Sequence, residues 1–163
     1  MMRRCAIAAV FSMASVAATA ETPSEAQGAK IYQRCAACHL PNGQGVPGAF
    51  PALAGRTAGA AATDAGRDYL VMTIVAGVMG EIEVDGRRIR GVMPAQAGLS
   101  DADIAAVLNH TMTLPSPGAK AGAPSRPFTE AEVAAIKARV GKATPTSVHA
   151  IRSAAFAPAA APK

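Results

Sequence analysis

The five residues Cys35-Ala36-Ala37-Cys38-His39 constrain this chain more than any other stretch. Two cysteines separated by two residues, with a histidine directly after the second, form an attachment site for c-type haem. Each thiol adds to one vinyl group on the porphyrin edge, and two intervening residues let one helical turn present both sulfurs to it. The histidine then sits under the ring, where its imidazole takes one axial position of the iron. A redox Cys-x-x-Cys pair suits a thioredoxin-like βαβ setting, and no such alternation of strands and helices follows here. A structural zinc site needs four ligands, and outside the motif only His110 and His149 remain, far apart in sequence. The motif predicts one covalent haem c, with Cys35 and Cys38 as its anchors and His39 as an iron ligand.

The first twenty residues read as a leader. Met1-Met2-Arg3-Arg4 is a short basic start, Ala6 to Ala18 is apolar or small, and Ala18-Thr19-Ala20 has the pattern of a secretory cleavage site. The apolar run is too short for a membrane span. Cleavage after Ala20 predicts an exported, periplasmic protein with no stable membrane insertion. It also removes Cys5, so Cys35 and Cys38 become the only cysteines, both consumed by thioether bonds. Removing Arg3 and Arg4 leaves 14 basic against 11 acidic side chains, too weak a surplus to argue for nucleic acid. Few aromatic residues remain, so a small domain has a thin core of its own and a buried porphyrin supplies apolar bulk.

Local signals give a mostly helical chain. Ser24 and Gln27 have capping-box spacing, which predicts a helix from about Glu25 into the haem motif. Residues 40–55 carry too many Gly and Pro for a regular element and predict a loop along the porphyrin edge, with Val46, Phe50 and Leu53 toward the ring. Thr57–Ala65 reads as a surface linker, and Arg67–Val78 as a helix. Alternation around Asp85-Gly86 predicts a small hairpin over Glu81–Arg90, with acids on one arm facing arginines on the other. Ser100 caps a helix ending near Thr113. The domains expected are a haem domain over 21–114, a linker over 115–127, a short helix over 128–141 capped by Thr129 and Glu132, and a disordered tail over 142–163.

What fills the sixth iron position decides the chemistry. A methionine there raises the reduction potential and closes the iron to outside ligands. Met93 is best placed, because Pro94 disfavours helix at the preceding residue and holds Met93 extended in a loop. Met79, between Gly77 and Gly80, is the rival. Met72 and Met112 fall within helices, and His110 or a vacant position are the remaining options.

Taken together, Cys35-Ala36-Ala37-Cys38-His39, Gly28 and Tyr32 before it, Pro51 and Leu53 after it, and Met93-Pro94 before a closing helix resemble the class I c-type cytochromes. The likeness covers about residues 24–113. It implies an all-α, cytochrome c-like fold around one haem, with the first and last helices of the domain crossing at Gly28 and Tyr32. It also implies that the Pro51 carbonyl accepts the far imidazole proton of His39, that Leu53 packs on the haem, and that Met93 is the second ligand. The hairpin and the helix after Phe128 go beyond the minimal pattern and are similar to cytochrome subunits of periplasmic dehydrogenases.

The function expected is single-electron transfer rather than catalysis, from a dehydrogenase to another cytochrome or a terminal oxidase. The small apolar residues Ala36, Ala37, Val46, Pro47 and Ala49 either form a docking patch at the haem edge or simply pack on the porphyrin. A peroxidase-like or gas-sensing haem domain is the alternative, and it needs an open sixth position.

Overall fold

The first helix, α1 (Glu25–His39), carries the whole attachment motif in its last turn. It ends because Leu40 takes a left-handed conformation, φ 65°, with its N–H bonded back to the Ala36 carbonyl at 2.9 Å. The computed structural model describes residues 25–116 and 126–156, so the leader, the Ser24 cap and most of the 115–127 linker lie outside the described residues.

After the loop come α2 (Arg56–Ala60), α3 (Asp64–Ala76), the strands β1 (Val78–Val84) and β2 (Arg87–Met93), and α4 (Asp101–Thr113). The expected fold class, helical with one small hairpin, is what the chain adopts. The helix α1 crosses α4 at Gly28, where an added β-carbon would stand 2.3 Å from the Ala106 carbonyl oxygen. Only a residue without a side chain allows that approach. Tyr32 is buried in the same crossing, its ring centroid 5.2 Å from that of His110.

Besides the hairpin, which runs over Val78–Met93 rather than Glu81–Arg90 and so puts Met93 at the end of β2 instead of in a loop, two elements depart from expectation. Thr57–Ala65 is not a surface linker. Its first half is α2, with Thr57 and Ala60 buried, and Thr63 then caps α3 by accepting from the Gly66 N–H at 3.1 Å. The alanines that suggested a featureless linker are strong helix formers, small enough to pack close to α4. The second departure is larger. Residues 145–155, expected in a disordered tail from 142 onward, form a helix, α6 (Pro145–Ala155). Thr144 and Ser147 cap it reciprocally, Pro145 occupies its first turn, and Val148, Ile151 and Ala155 turn inward at helical spacing. Residues 157–163 of that tail lie outside the described residues.

The helix α5 (Glu130–Val140) is capped by Thr129 as expected, but the Glu132 carboxylate does not return to the cap. It reaches Arg67 on α3 instead, at 2.6 Å from Nε. Arg67 is 1% exposed, bonds the Ala61 and Arg126 carbonyls, and lies over the Phe128 ring at 3.7 Å. Around this clasp sits the main core: Val71 and Met72 of α3, Ile104, Leu108 and Met112 of α4, Val133 and Ile136 of α5, and Val148 of α6. The C-terminal helices therefore complete the domain rather than trail from it.

Candidate haem site

One cleft gathers the residues singled out by the sequence. Cys35, Cys38 and His39 reach it from α1, Pro51 and Leu53 from the loop, and Met93 from the end of β2. Cys38 is exposed and Cys35 half-buried, and no disulfide joins them. Burial pushes the Cys35 thiol above its ordinary range, with neighbouring Arg34 offsetting part of the rise.

His39 is oriented by the loop. Its Nδ1 lies 2.9 Å from the Pro51 carbonyl oxygen, and since a carbonyl only accepts, the proton belongs on Nδ1. The Nε2 lone pair is left for a metal. Burial lowers the imidazole pKa, the Pro51 bond raising it only in part, so the ring is held neutral as ligation requires. Gly45 makes the loop's return possible. At φ 62° it donates its N–H to the His39 carbonyl at 2.9 Å, and an added β-carbon would meet the Pro51 carbonyl oxygen at 2.6 Å. Tyr32 ties the turn from below, donating to the Leu40 carbonyl at 2.8 Å, and its phenol is pushed up to about 12 by burial and by Cys35.

The methionines separate by position. Met93 lines the cleft. Met79 is 46% exposed on the other face of β1, whereas Met72 and Met112 are buried in the core. His110 packs between α1 and α4 and does not line the cleft. Among the described residues, no group of three or more His, Cys, Asp or Glu could hold a separate metal ion.

The hairpin does more than pair charges. The expected cross-strand contacts form, Arg90 to Glu81 at 2.9 Å among them. Asp85 and Gly86, both with positive φ, make the tight turn. But alternate residues Val78, Gly80, Ile82 and Val84 of β1 and Ile89, Gly91 and Met93 of β2 line the cleft. Gly80 pairs with Gly91, and Ile82 with Ile89, so the lining face is apolar. Arg34, Arg56, Arg152 and Tyr69 supply the polar groups. Burial raises the Tyr69 phenol above its usual range, although Arg152 and Thr73 beside it pull it down. An apolar slot with two thiols and a neutral imidazole at one side, a thioether on the strand side and arginines for carboxylates fits haem.

The family described as Cytochrome c matches residues 25–115. The chain belongs to the cytochrome c family. Two curated relatives, both cytochrome c-552 of Thermus thermophilus, are 48% and 47% identical to it. The first alignment spans 78% of this chain and 95% of the relative, the second 79% and 85%. As a class I monohaem c-type cytochrome, the protein carries one covalent haem c and transfers electrons. No helix among the described residues is long and apolar enough to cross a membrane.

The cleft of this cytochrome is also lined by residues that no sequence motif marks. Gly80, Ile82, Ile89 and Gly91 were legible as the inner set of an alternating hairpin. Tyr69, Arg152 and Phe156 were not, because they meet the cleft only once α6 has packed on α3, with Phe156 edge-on to Tyr69 at 5.7 Å between centroids.

Proposed function

We propose that this cytochrome is an exported shuttle for single electrons whose iron is held by His39 and Met93. One observation carries the reading: Met93 lines the same cleft as His39, while Met72, Met79, Met112 and His110 lie elsewhere. Bound haem supplies the one-electron chemistry of its iron, and a thioether in the sixth position raises the potential and excludes outside ligands.

The protein's own part is positioning and shielding. The Pro51 carbonyl fixes the His39 tautomer and makes the imidazole a stronger donor. Ile82, Val84 and Ile89 keep the hairpin side of the cleft dry. Arg56, Arg152 and the protonated Tyr69 are the groups available to meet the two haem carboxylates. At the other side, exposed Cys38 lines the cleft with Ala49 and Phe50, and Ala37, Val46 and Pro47 beside them in the chain are exposed as well. Electrons pass at this apolar edge, since redox encounters need only small interfaces, below about 1,200 Å² in total.

The leader pattern over residues 1–20 supports a periplasmic location, with a dehydrogenase as donor and a cytochrome or terminal oxidase as acceptor. The absorption spectra of wild type and Met93→Ala test the ligation. Wild type is expected to show a methionine–iron charge-transfer band in the ferric state, and the variant to lose it. Absence of the band in wild type would favour an open iron and the peroxidase-like or gas-sensing alternative. Co-purification from a periplasmic extract separates a free shuttle from a fixed subunit: recovery of the cytochrome alone is the expected result, and a large dehydrogenase subunit in the eluate would make it a subunit instead.

A further inference from the structure

We infer that His149 is a positioning residue: with α6 it latches the hairpin, and thereby sets how firmly Met93 closes the iron. The inference rests on the Met93 ligation proposed above.

A two-stranded hairpin has little stability of its own, so its pose is decided by what it packs on. The inner edge of β1 is paired with β2. Its outer edge carries the carbonyls of Glu81 and Glu83, which point the same way because they are two residues apart. Both find donors on α6. His149 Nε2 lies 2.7 Å from the Glu81 oxygen, and Arg152 Nη2 lies 3.0 Å from the Glu83 oxygen. His149 and Arg152 are three residues apart and so share one helix face. The carbonyl accepts, so Nε2 carries the proton.

The His149 ring also seats against Gly80. An added β-carbon there would meet ring atoms Cδ2, Nε2 and Cγ at 2.7, 2.9 and 3.0 Å. Gly80 is in register with Gly91, two residues before Met93, and Val78, two residues before Gly80, is in register with Met93 itself. The ring thus bears on the hairpin two rungs from Met93. The other restraints act at the ends of the hairpin. Arg56 pairs with Asp85 at the tip. At the base, Gly77 approaches so closely that a β-carbon on it would stand 2.4 Å from the Met93 carbonyl oxygen. Between tip and base, the α6 contacts hold β1 along its length.

Met93 dissociation requires the end of β2 to move away, and an outside ligand binds only to that opened population. Its apparent affinity therefore scales with the fraction open. Without the His149 hydrogen bond and ring contact, His149→Ala should open roughly ten times more often, the effect of losing about one hydrogen bond with its packing. The test is cyanide binding to the ferric haem-loaded protein, read with the methionine charge-transfer band and with amide hydrogen exchange over residues 78–93. The expected result is roughly tenfold tighter cyanide binding and faster hairpin exchange in His149→Ala. His149→Gln, which keeps an N–H donor, should return to within about threefold of wild type. Cyanide affinity within about twofold of wild type in His149→Ala overturns the latch, whether or not the thermal midpoint falls. Equal effects of Ala and Gln overturn the hydrogen bond as the acting contact. A wild type without the charge-transfer band overturns the Met93 ligation and the latch with it, which keeps the two failures distinguishable.

Discussion

Nδ1 of His39 lies 2.9 Å from the carbonyl oxygen of Pro51, twelve residues further along the chain. The bond closes a loop whose path depends on Gly45, so a backbone position outside the attachment motif governs how His39 is held. Gly45→Ala places a methyl group 2.3 Å from the Phe50 carbonyl oxygen and strains a residue at φ 62°. A destabilisation of about 1–3 kcal/mol is expected from the backbone strain. If Pro51 is pushed back, His39 becomes a weaker donor and the reduction potential rises. Chemical denaturation and potentiometry on the same variant check both, and an unchanged potential would detach Gly45 from the ligand.

A second glycine carries the helix crossing. A β-carbon at Gly28 would stand 2.3 Å from the Ala106 carbonyl oxygen and 2.8 Å from Cβ of His110. The nearest obstacle is backbone, which cannot swing aside. Gly28→Ala is therefore expected to cost about 3 kcal/mol, at the upper end for overpacking, despite alanine's better helix propensity. Thermal unfolding of the haem-loaded protein measures it, and a stabilised variant would mean that α1 and α4 do not cross here.

Much of the site was legible in the sequence because it is local. Cys35, Cys38 and His39 share one helical turn, and Pro94 marks Met93 from the adjacent position. Gly28 and Tyr32 were identifiable through the family resemblance, although their partners lie on another helix. The helix α6 was obscured for two reasons. Its cap is Thr144 with Ser147 rather than with the Glu or Gln that the usual pattern supplies, and the Ala/Pro run after Phe156 lends the whole end a disordered composition. The contacts that give α6 its purpose span large separations: His149 to Glu81 and Arg152 to Glu83 are 68 and 69 residues apart. No window of sequence contains both partners.

The Arg67 clasp is of the same long-range kind. Its guanidinium is 1% exposed and holds Glu132, 65 residues away, through two nitrogens. Removing Arg67 leaves Glu132, in a half-buried place, with only the exposed Arg126 at 3.1 Å as its partner. Arg67→Met is expected to lose about 3 kcal/mol of stability, with α5 and α6 exchanging amide hydrogens first. Burial raises the Glu132 pKa, but the hydrogen bonds and charges of Arg67 and, after it, Arg126 outweigh it and hold the carboxyl below its ordinary 4.5. The stabilisation from that shift is present above the unfolded value and is lost as pH falls through the folded one. Acid unfolding followed by circular dichroism should therefore begin at higher pH in Arg67→Met than in wild type.

His110 provides the opposite test, in a different pH window. Its Nδ1 is buried without a hydrogen-bond partner, beside Gly28 and the Tyr32 ring. Burial lowers its pKa from the ordinary 6.5, with Glu25 pulling it partly back. The unfolded chain then binds a proton at higher pH than the native one, so stability falls as pH drops through about 6.5 and levels off below the native value. Asp103 and Glu132, whose pKa values are lowered from ordinary carboxylate values, act below this window. Denaturation of wild type and His110→Gln at pH 7.5 and pH 5 isolates the histidine, because the other titrating groups are common to both. Wild type should lose more stability than the variant over that interval. Equal losses would mean that His110 is already hydrated or charged at the crossing, and that Gly28 alone sets the geometry of α1 on α4.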